Sequence, residues 1–168
     1  AGRGLEGSFT LTLARMMLHI IKNIYGFESA HHATALNSLA ELLKDRGNYS
    51  RAESIYRQAL TISEKVFGQE HLNSGLIISN LGVLLKVKGD FINAEFFLRR
   101  ALKIIEKAQG DEHLDTSFAQ NNLGELLRTK GDYEAAEPLL RKALFISDKN
   151  NGPEHPVTGT RLNNLGLV

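Results

Sequence analysis

The chain has 168 residues, no cysteine, and 20 Lys and Arg against 19 Asp and Glu, for a formal net charge of +1. That balance excludes a chain-wide attraction to nucleic acid or to an acidic surface. The lack of cysteine excludes disulfide and thiolate chemistry and permits a cytoplasmic location.

Residues 1–7 carry three glycines and no periodicity, and are expected to form a disordered N-terminal segment. From Ser8 the pattern turns helical. Leu11, Ala14, Leu18, Ile21 and Tyr25 recur at spacings of three and four, as a buried stripe does. Residues 8–25 are also the one stretch that suggests a targeting or membrane segment. Arg15, His19 and Lys22 interrupt it and it is too short to span a bilayer, so a packed helix and no membrane association are expected. The hydrophobic content of 42% suits a packed core rather than a disordered chain.

Beyond this helix the chain repeats itself. Gly26, Gly68, Gly110 and Gly152 lie 42 residues apart, and the same offset relates Asn37-Ser38-Leu39-Ala40 to Ser79-Asn80-Leu81-Gly82, Asn121-Asn122-Leu123-Gly124 and Asn163-Asn164-Leu165-Gly166. A fixed period of this size marks a stacked array whose units pack mainly on their neighbours. In the first full unit, helix A is expected over about residues 30–46, with the stripe Leu36, Leu39, Ala40 and Leu43. Gly47 suits the left-handed position that ends a helix. Asn48, matched by Asp90 and Asp132, can cap the next helix through its side-chain oxygen. Helix B follows over about residues 49–66, with the stripe Ala52, Tyr56, Ala59, Leu60 and Ile62. Lys65, Lys107 and Lys149 sit in its last turn, where a cation complements the helix dipole.

Shifted by the period, Met17, Leu18 and Ile20 fall on Ala59, Leu60 and Ile62. The array therefore reads as a half repeat over residues 8–25, full repeats over 26–67, 68–109 and 110–151, and a half repeat over 152–168. Small residues recur at fixed phases: Ala40, Gly82, Gly124 and Gly166 on helix A, and Ala52, Ala94 and Ala136 on helix B. Glycine weakens a helix by roughly 1 kcal/mol against alanine, so its return at one phase points to close contact between neighbouring helices. Pro138, inside the last helix B, is expected to bend that helix without breaking it. The fold class expected is all-α, an α-solenoid of antiparallel helical hairpins.

The pattern Leu36-x2-Leu39-Ala40-x2-Leu43 followed by Ala52-x3-Tyr56 and Ala59 resembles the tetratricopeptide repeat, as do Ile78, Leu81-Gly82, Leu85, Ala94, Leu98 and Ala101. That family has a period of about 34 residues, and the longer period here is similar to the repeats of kinesin light chains. Gly152-Pro153-Glu154-His155-Pro156 and Leu162-Asn163-Asn164-Leu165-Gly166 carry that likeness most fully. Gln120 departs from it, standing where Leu36, Ile78 and Leu162 are apolar, and the heptad coiled coil of a kinesin light chain is absent from this chain. The resemblance implies a right-handed superhelix and a non-catalytic protein-binding role.

No nucleophile–base pair, phosphate loop or metal-ligand spacing stands out in the sequence, so no catalytic residue, metal or cofactor is expected. His71, His113 and His155 recur with the period. Stacked hairpins put such residues roughly 8–10 Å apart, too far for one metal, so they are read as loop residues bonding backbone at the start of helix A. His31 and His32 are neighbours whose side chains diverge on a helix.

The concave face of the stack is the candidate site. One helix A stripe carries Asn37, Glu41 and Lys44, then Ser79, Val83 and Lys86, then Asn121, Glu125 and Arg128, then Asn163 and Leu167. Thr34, Leu76, Phe118 and Thr160 extend it, and Asn80, Asn122 and Asn164 flank it. The resemblance implies that helix A asparagines hold the backbone of an extended peptide, a role that suits an amide because it donates and accepts. Lys44, Lys86 and Arg128 form a column of cations that favours an acidic peptide, while Leu76, Val83 and Phe118 offer apolar contact. The partner expected is a protein or peptide and not nucleic acid. The alternative is end-to-end self-association through apolar strips, with Leu11, Leu18 and Ile21 at one end and Leu162, Leu165 and Val168 at the other.

Overall fold

The computed structural model describes residues 2–166, with side chains described from Thr10 onward. Leu167 and Val168, read above as part of the concave stripe and of an apolar end, lie outside the described residues. Among these there are eight α-helices and no strand: α1 (Gly2–Tyr25), α2 (Ala30–Asp45), α3 (Tyr49–Phe67), α4 (Leu72–Val87), α5 (Phe91–Gln109), α6 (Leu114–Thr129), α7 (Tyr133–Asn151) and α8 (Pro156–Gly166). Helices α2, α4, α6 and α8 therefore start 42 residues apart, as the period requires. The disordered segment expected over residues 1–7 is corrected in part, because α1 already begins at Gly2. Extending a formed helix adds one backbone bond per residue and needs no new nucleus, which offsets the weak propensity of glycine.

Local chemistry sets the helix ends. The helix-to-helix turns carry glycines of positive φ, from 74° at Gly47 to 98° at Gly68, a region that a β-carbon penalises. The recurring histidines are N-caps. Nδ1 of His71, His113 and His155 accepts from the backbone N–H two residues on, at 3.1, 3.1 and 3.2 Å. Ser29 plays that part in the first unit, its Oγ accepting from His32 N at 3.2 Å. Asp90 and Asp132 cap α5 and α7 by accepting from Asn93 N and Ala135 N, whereas Asn48 makes no such bond. His31 and His32 do diverge: one stacks on Tyr25 with centroids 4.1 Å apart, and the other, buried, bonds the Phe27 carbonyl at 2.6 Å. Helix α7 runs through Pro138 without interruption.

The hairpins are α2/α3, α4/α5 and α6/α7, and each packs on the next through its B and A helices. Successive A helices also touch, α2 on α4 and α4 on α6, while no comparable contact joins successive B helices. The A helices therefore form the inner wall of the curve. The core is a continuous strip of fully buried residues including Ile78, Leu81, Leu85, Leu98, Leu123, Leu127 and Leu140.

The glycines explain how closely the two helices of a hairpin approach. A β-carbon on Gly82 would lie 2.8 Å from Leu98 Cγ, and one on Gly124 would lie 2.7 Å from Leu140 Cγ. Ala40 sits at the same phase opposite Tyr56, which stands at the register of those leucines, and both are fully buried. Gly75 does similar work lower in α4, where a β-carbon would meet Ile104 Cγ2 at 2.8 Å.

One expectation about α1 is corrected. Leu11 and Leu18 are not free apolar surface but pack, partly buried, against the core, and Ile21 is partly buried as well. Among the described residues, Leu13, Met16, Met17, Ile20 and Ile24 are exposed apolar residues of that helix, because Leu11, Ala14 and Leu18 of the stripe read from spacing are the ones that pack on the core.

These contacts predict opposite signs for two glycine substitutions. Gly124→Ala should destabilise by about 1–3 kcal/mol through overpacking against Leu140. Gly159→Ala, where nothing lies within 4 Å, should stabilise by up to about 1 kcal/mol through helix propensity. Urea denaturation of both variants decides; a shared sign would show that packing at Gly124 is not the controlling term.

Candidate functional site

The inner wall carries a ladder of side-chain amides that ties each A helix to the next. Asn80 Nδ2 donates to Asn37 Oδ1 at 3.1 Å, Asn122 Nδ2 donates to Ser79 Oγ at 3.4 Å, and Asn164 Nδ2 donates to Asn121 Oδ1 at 3.0 Å. The second residue of each Asn-Asn or Ser-Asn pair reaches back to the first residue of the preceding pair. Each flanking asparagine thus spends a donor on the fold. Among the described residues, the carbonyl oxygens of Asn80 and Asn122 and the whole amide of Asn163 make no protein hydrogen bond, so donors and acceptors remain on this face.

Charge on this wall is mostly internal. Lys86 Nζ donates to Glu125 Oε2 at 2.5 Å, and Glu125 Oε1 accepts from Asn121 at 3.0 Å and from Asn164 at 2.6 Å. Burial pushes the Glu125 carboxyl up, but the Lys86 ammonium and the two amides outweigh it and hold the group below its ordinary value. Lys44 lies 3.5 Å from Asp45 Oδ1. The column Lys44, Lys86 and Arg128 is thus not three free cations. Two have carboxylates beside them, and Arg128 has a buried Nε with no hydrogen-bond partner.

Apolar contact is present on the same wall. Leu76 and Val83 are partly exposed, and Phe118 is 47% exposed. Ser79, Asn121 and Asn164 are buried in the ladder, while Asn37, Asn80 and Asn122 are half-buried and Asn163 is exposed. The residues singled out in the sequence lie on α2, α4, α6 and α8, and six of their polar atoms pair with one another in the ladder.

Arg161 is the residue that sequence reasoning missed. It lies on α8 at the register of Ile77 and Ala119, both buried and apolar. Its side chain is buried and its guanidinium sits 4.4 Å over the Phe118 ring. Burial lowers its pKa to about 10. A charge in an otherwise apolar column was the signal available in the sequence. Among the described residues no group of three His, Asp or Glu side chains could hold a metal ion, and no helix is long and apolar enough to cross a membrane.

A family model described as tetratricopeptide repeat matches residues 31–107 and again 75–149. No curated protein matches the sequence. Among solved structures, BtubC (BKLC) from P. vanneervenii is 28% identical with a TM-score of 0.76 over 90% of this chain. The chain spans 60% of that protein's length. The nearly identical TPR-like repeats of a Podosopora anserina protein described as a kinesin light chain are 20% identical, with a TM-score of 0.75 over 97% of this chain and 77% of that one. The type III secretion translocator chaperone SycD of Yersinia enterocolitica is 17% identical, with a TM-score of 0.62 over 83% of this chain and 92% of that one. At those identities the last two show the fold alone.

The Glu125 cluster predicts a pH dependence. Its folded-state pKa lies below the unfolded one, so its stabilisation is complete above the unfolded value and is lost as pH falls through the folded value. Glu125→Gln should cost about 1.5–3 kcal/mol at neutral pH, the range for hydrogen bonds to charged groups. The gap from wild type should narrow on acidification. Melting curves across the acid range test this; a gap that stays constant would mean that Glu125 does not titrate with folding.

Proposed function

The chain belongs to the tetratricopeptide repeat family, and from that premise we propose that it is a non-catalytic protein–protein interaction module of the cytoplasm. It binds an extended or partly helical segment of a partner along the concave wall of α2, α4, α6 and α8. The observation that carries this reading is the pairing of exposed Phe118 and half-exposed Leu76 and Val83 with an amide ladder that keeps unspent acceptors. An extended strand needs both, because its backbone seeks donors and acceptors while alternate side chains seek apolar contact. A modest preference for acidic segments fits Arg128 and the residual charge of Lys44 and Lys86, since exposed pairs contribute only about 0.2–1 kcal/mol each. The asparagines and the apolar residues supply most of the affinity.

Decapeptides selected by display against the whole chain test the proposal. Val83→Asp on the concave wall should weaken them by about tenfold or more, the effect of losing an apolar contact of roughly 1.4 kcal/mol. Ile92→Asp, at an 82% exposed position on α5, should leave them unchanged. Binding that survives the first change and fails with the second would place the site elsewhere.

A second reading is supported by the exposed apolar face of α1. Leu13, Met17 and Ile20 on that helix and Leu162 on α8, 60% exposed, give two copies of the chain complementary B-type and A-type faces. End-to-end stacking would pair them. Sedimentation velocity should then show mass rising with concentration and Leu13→Glu/Met17→Glu abolishing the rise; a single monomeric species throughout would exclude stacking.

A further inference from the structure

We propose that the groove between α1 and α3, on the outer side of the array, binds a small organic carboxylate with an apolar body, of the kind a medium-chain fatty acid represents. The site lies on the B-helix side, away from the concave wall, and does not rest on the reading of that wall. Its volume is about 570 Å³, within the range of small-molecule sites. Leu18, Leu36 and Ile62 give it an apolar floor, and Arg15, His19 and Lys22 stand along its α1 edge.

The later grooves differ in charge. Between α3 and α5 the gap is bridged by Arg100 and Glu64 at 2.6 Å. Between α5 and α7, Lys142 reaches Glu106 at 3.7 Å and Asp111 at 2.8 Å. One period earlier, Lys22 stands at the register of Glu64 and Glu106, and Gln58 at that of Arg100 and Lys142. The acid has become a cation and the cation a neutral amide, so the first groove has no such strut. Arg15 is altered in the same sense. Its equivalents Arg57, Arg99 and Arg141 each pair with a glutamate one turn before, at 2.9, 2.8 and 2.6 Å. Leu11 takes the place of that glutamate in α1.

Two positive charges thus border an apolar groove without the carboxylates that balance this edge elsewhere. Among the described residues Arg15 makes no ion pair, and Lys22 rests 3.9 Å over the Phe27 ring. The one carboxylate lining the groove, Glu28, is held by Lys65 at 2.5 Å. An amphipathic carboxylate answers both features. Its apolar body leaves water against the floor, and its two oxygens accept from the guanidinium and the ammonium. A neutral amphiphile gains the apolar contact alone, and a cationic one is repelled.

Octanoate, octanamide and octyltrimethylammonium, which share an alkyl chain and differ in charge, test the site by NMR on the whole, isotopically labelled chain. Octanoate should shift the Ile62 methyl and Phe27 ring signals saturably. Octanamide should bind about tenfold more weakly, as loss of two exposed ion pairs allows. The cation should leave these signals unmoved. Arg15→Gln should weaken octanoate by about two- to fivefold, the range of one such pair. Lys22→Glu/Gln58→Arg, which installs the Glu64–Arg100 strut one repeat earlier, should abolish binding without lowering the melting midpoint. If octanamide matches octanoate, or if octanoate binds the folded strut variant as it binds the wild type, the groove is only a gap between helices and the proposal is overturned. Octanoate shifts confined to Leu13 and Met17, which line a separate groove on the opposite face of α1, would overturn it as well. Should the strut variant fail to fold, the ranking of the three probes on the wild type and on Arg15→Gln decides by itself.

Discussion

The approach of the two helices within each hairpin is the constraint on which the rest depends. At Gly82 and Gly124 the facing leucines come so near that even a methyl group has no space. A helix loses roughly 1 kcal/mol by carrying glycine, and that loss is offset by the packing contact that close approach allows. Close hairpins, α2/α3, α4/α5 and α6/α7, stack so that successive A helices touch, α2 on α4 and α4 on α6, on the inside of the curve.

Hydrophobic packing alone does not specify how one hairpin sits on the next, because it is non-directional. Polar bonds supply the register. The amide ladder joins the A helices on the inner side, at Asn37–Asn80, Ser79–Asn122 and Asn121–Asn164. On the outer side Glu53 pairs with Lys88 and Glu95 with Lys130, linking each helix B to the following turn. The Lys88 and Lys130 ammonium groups, first among the causes, hold those carboxyls below their ordinary values. Buried hydroxyl pairs, Ser63 with Ser74 and Ser147 with Thr158, repeat between hairpins at the same register. In the unit between them Ile105 replaces the serine, and Gly75 gives it room.

This economy shapes the candidate site. A wall that spends its ladder amides and the Lys86–Glu125 pair on its own construction presents few free charges, and its selectivity must come from position rather than from net field. Lys86 illustrates the point. In the sequence it is one of a column of cations, whereas in the fold it neutralises Glu125 from the neighbouring repeat. Arg161, which stands outside the periodic column, is buried with neither Nη1 nor Nη2 bonded to an acceptor.

The sequence by itself determined the period, the approximate bounds of the repeated helices α2 to α8, most of their capping residues and the small-residue phases. Each of these depends on contacts within a few residues or on exact recurrence, which a linear reading can follow. The parts of Gly47, His113 and Gly124 are legible in the sequence, because turn conformation, N-capping and close packing are local or repeated demands. The tertiary structure alone decided the partners of the side chains on the inner wall. Whether Asn122 meets a ligand or Ser79, and whether Lys86 is free, depend on the rise and twist between hairpins. Those follow from summed packing across the stack, not from any one unit. For the same reason Arg161 reads in the sequence as an irregularity among apolar residues, and only the fold shows that its charge is buried beside Phe118 without an acceptor.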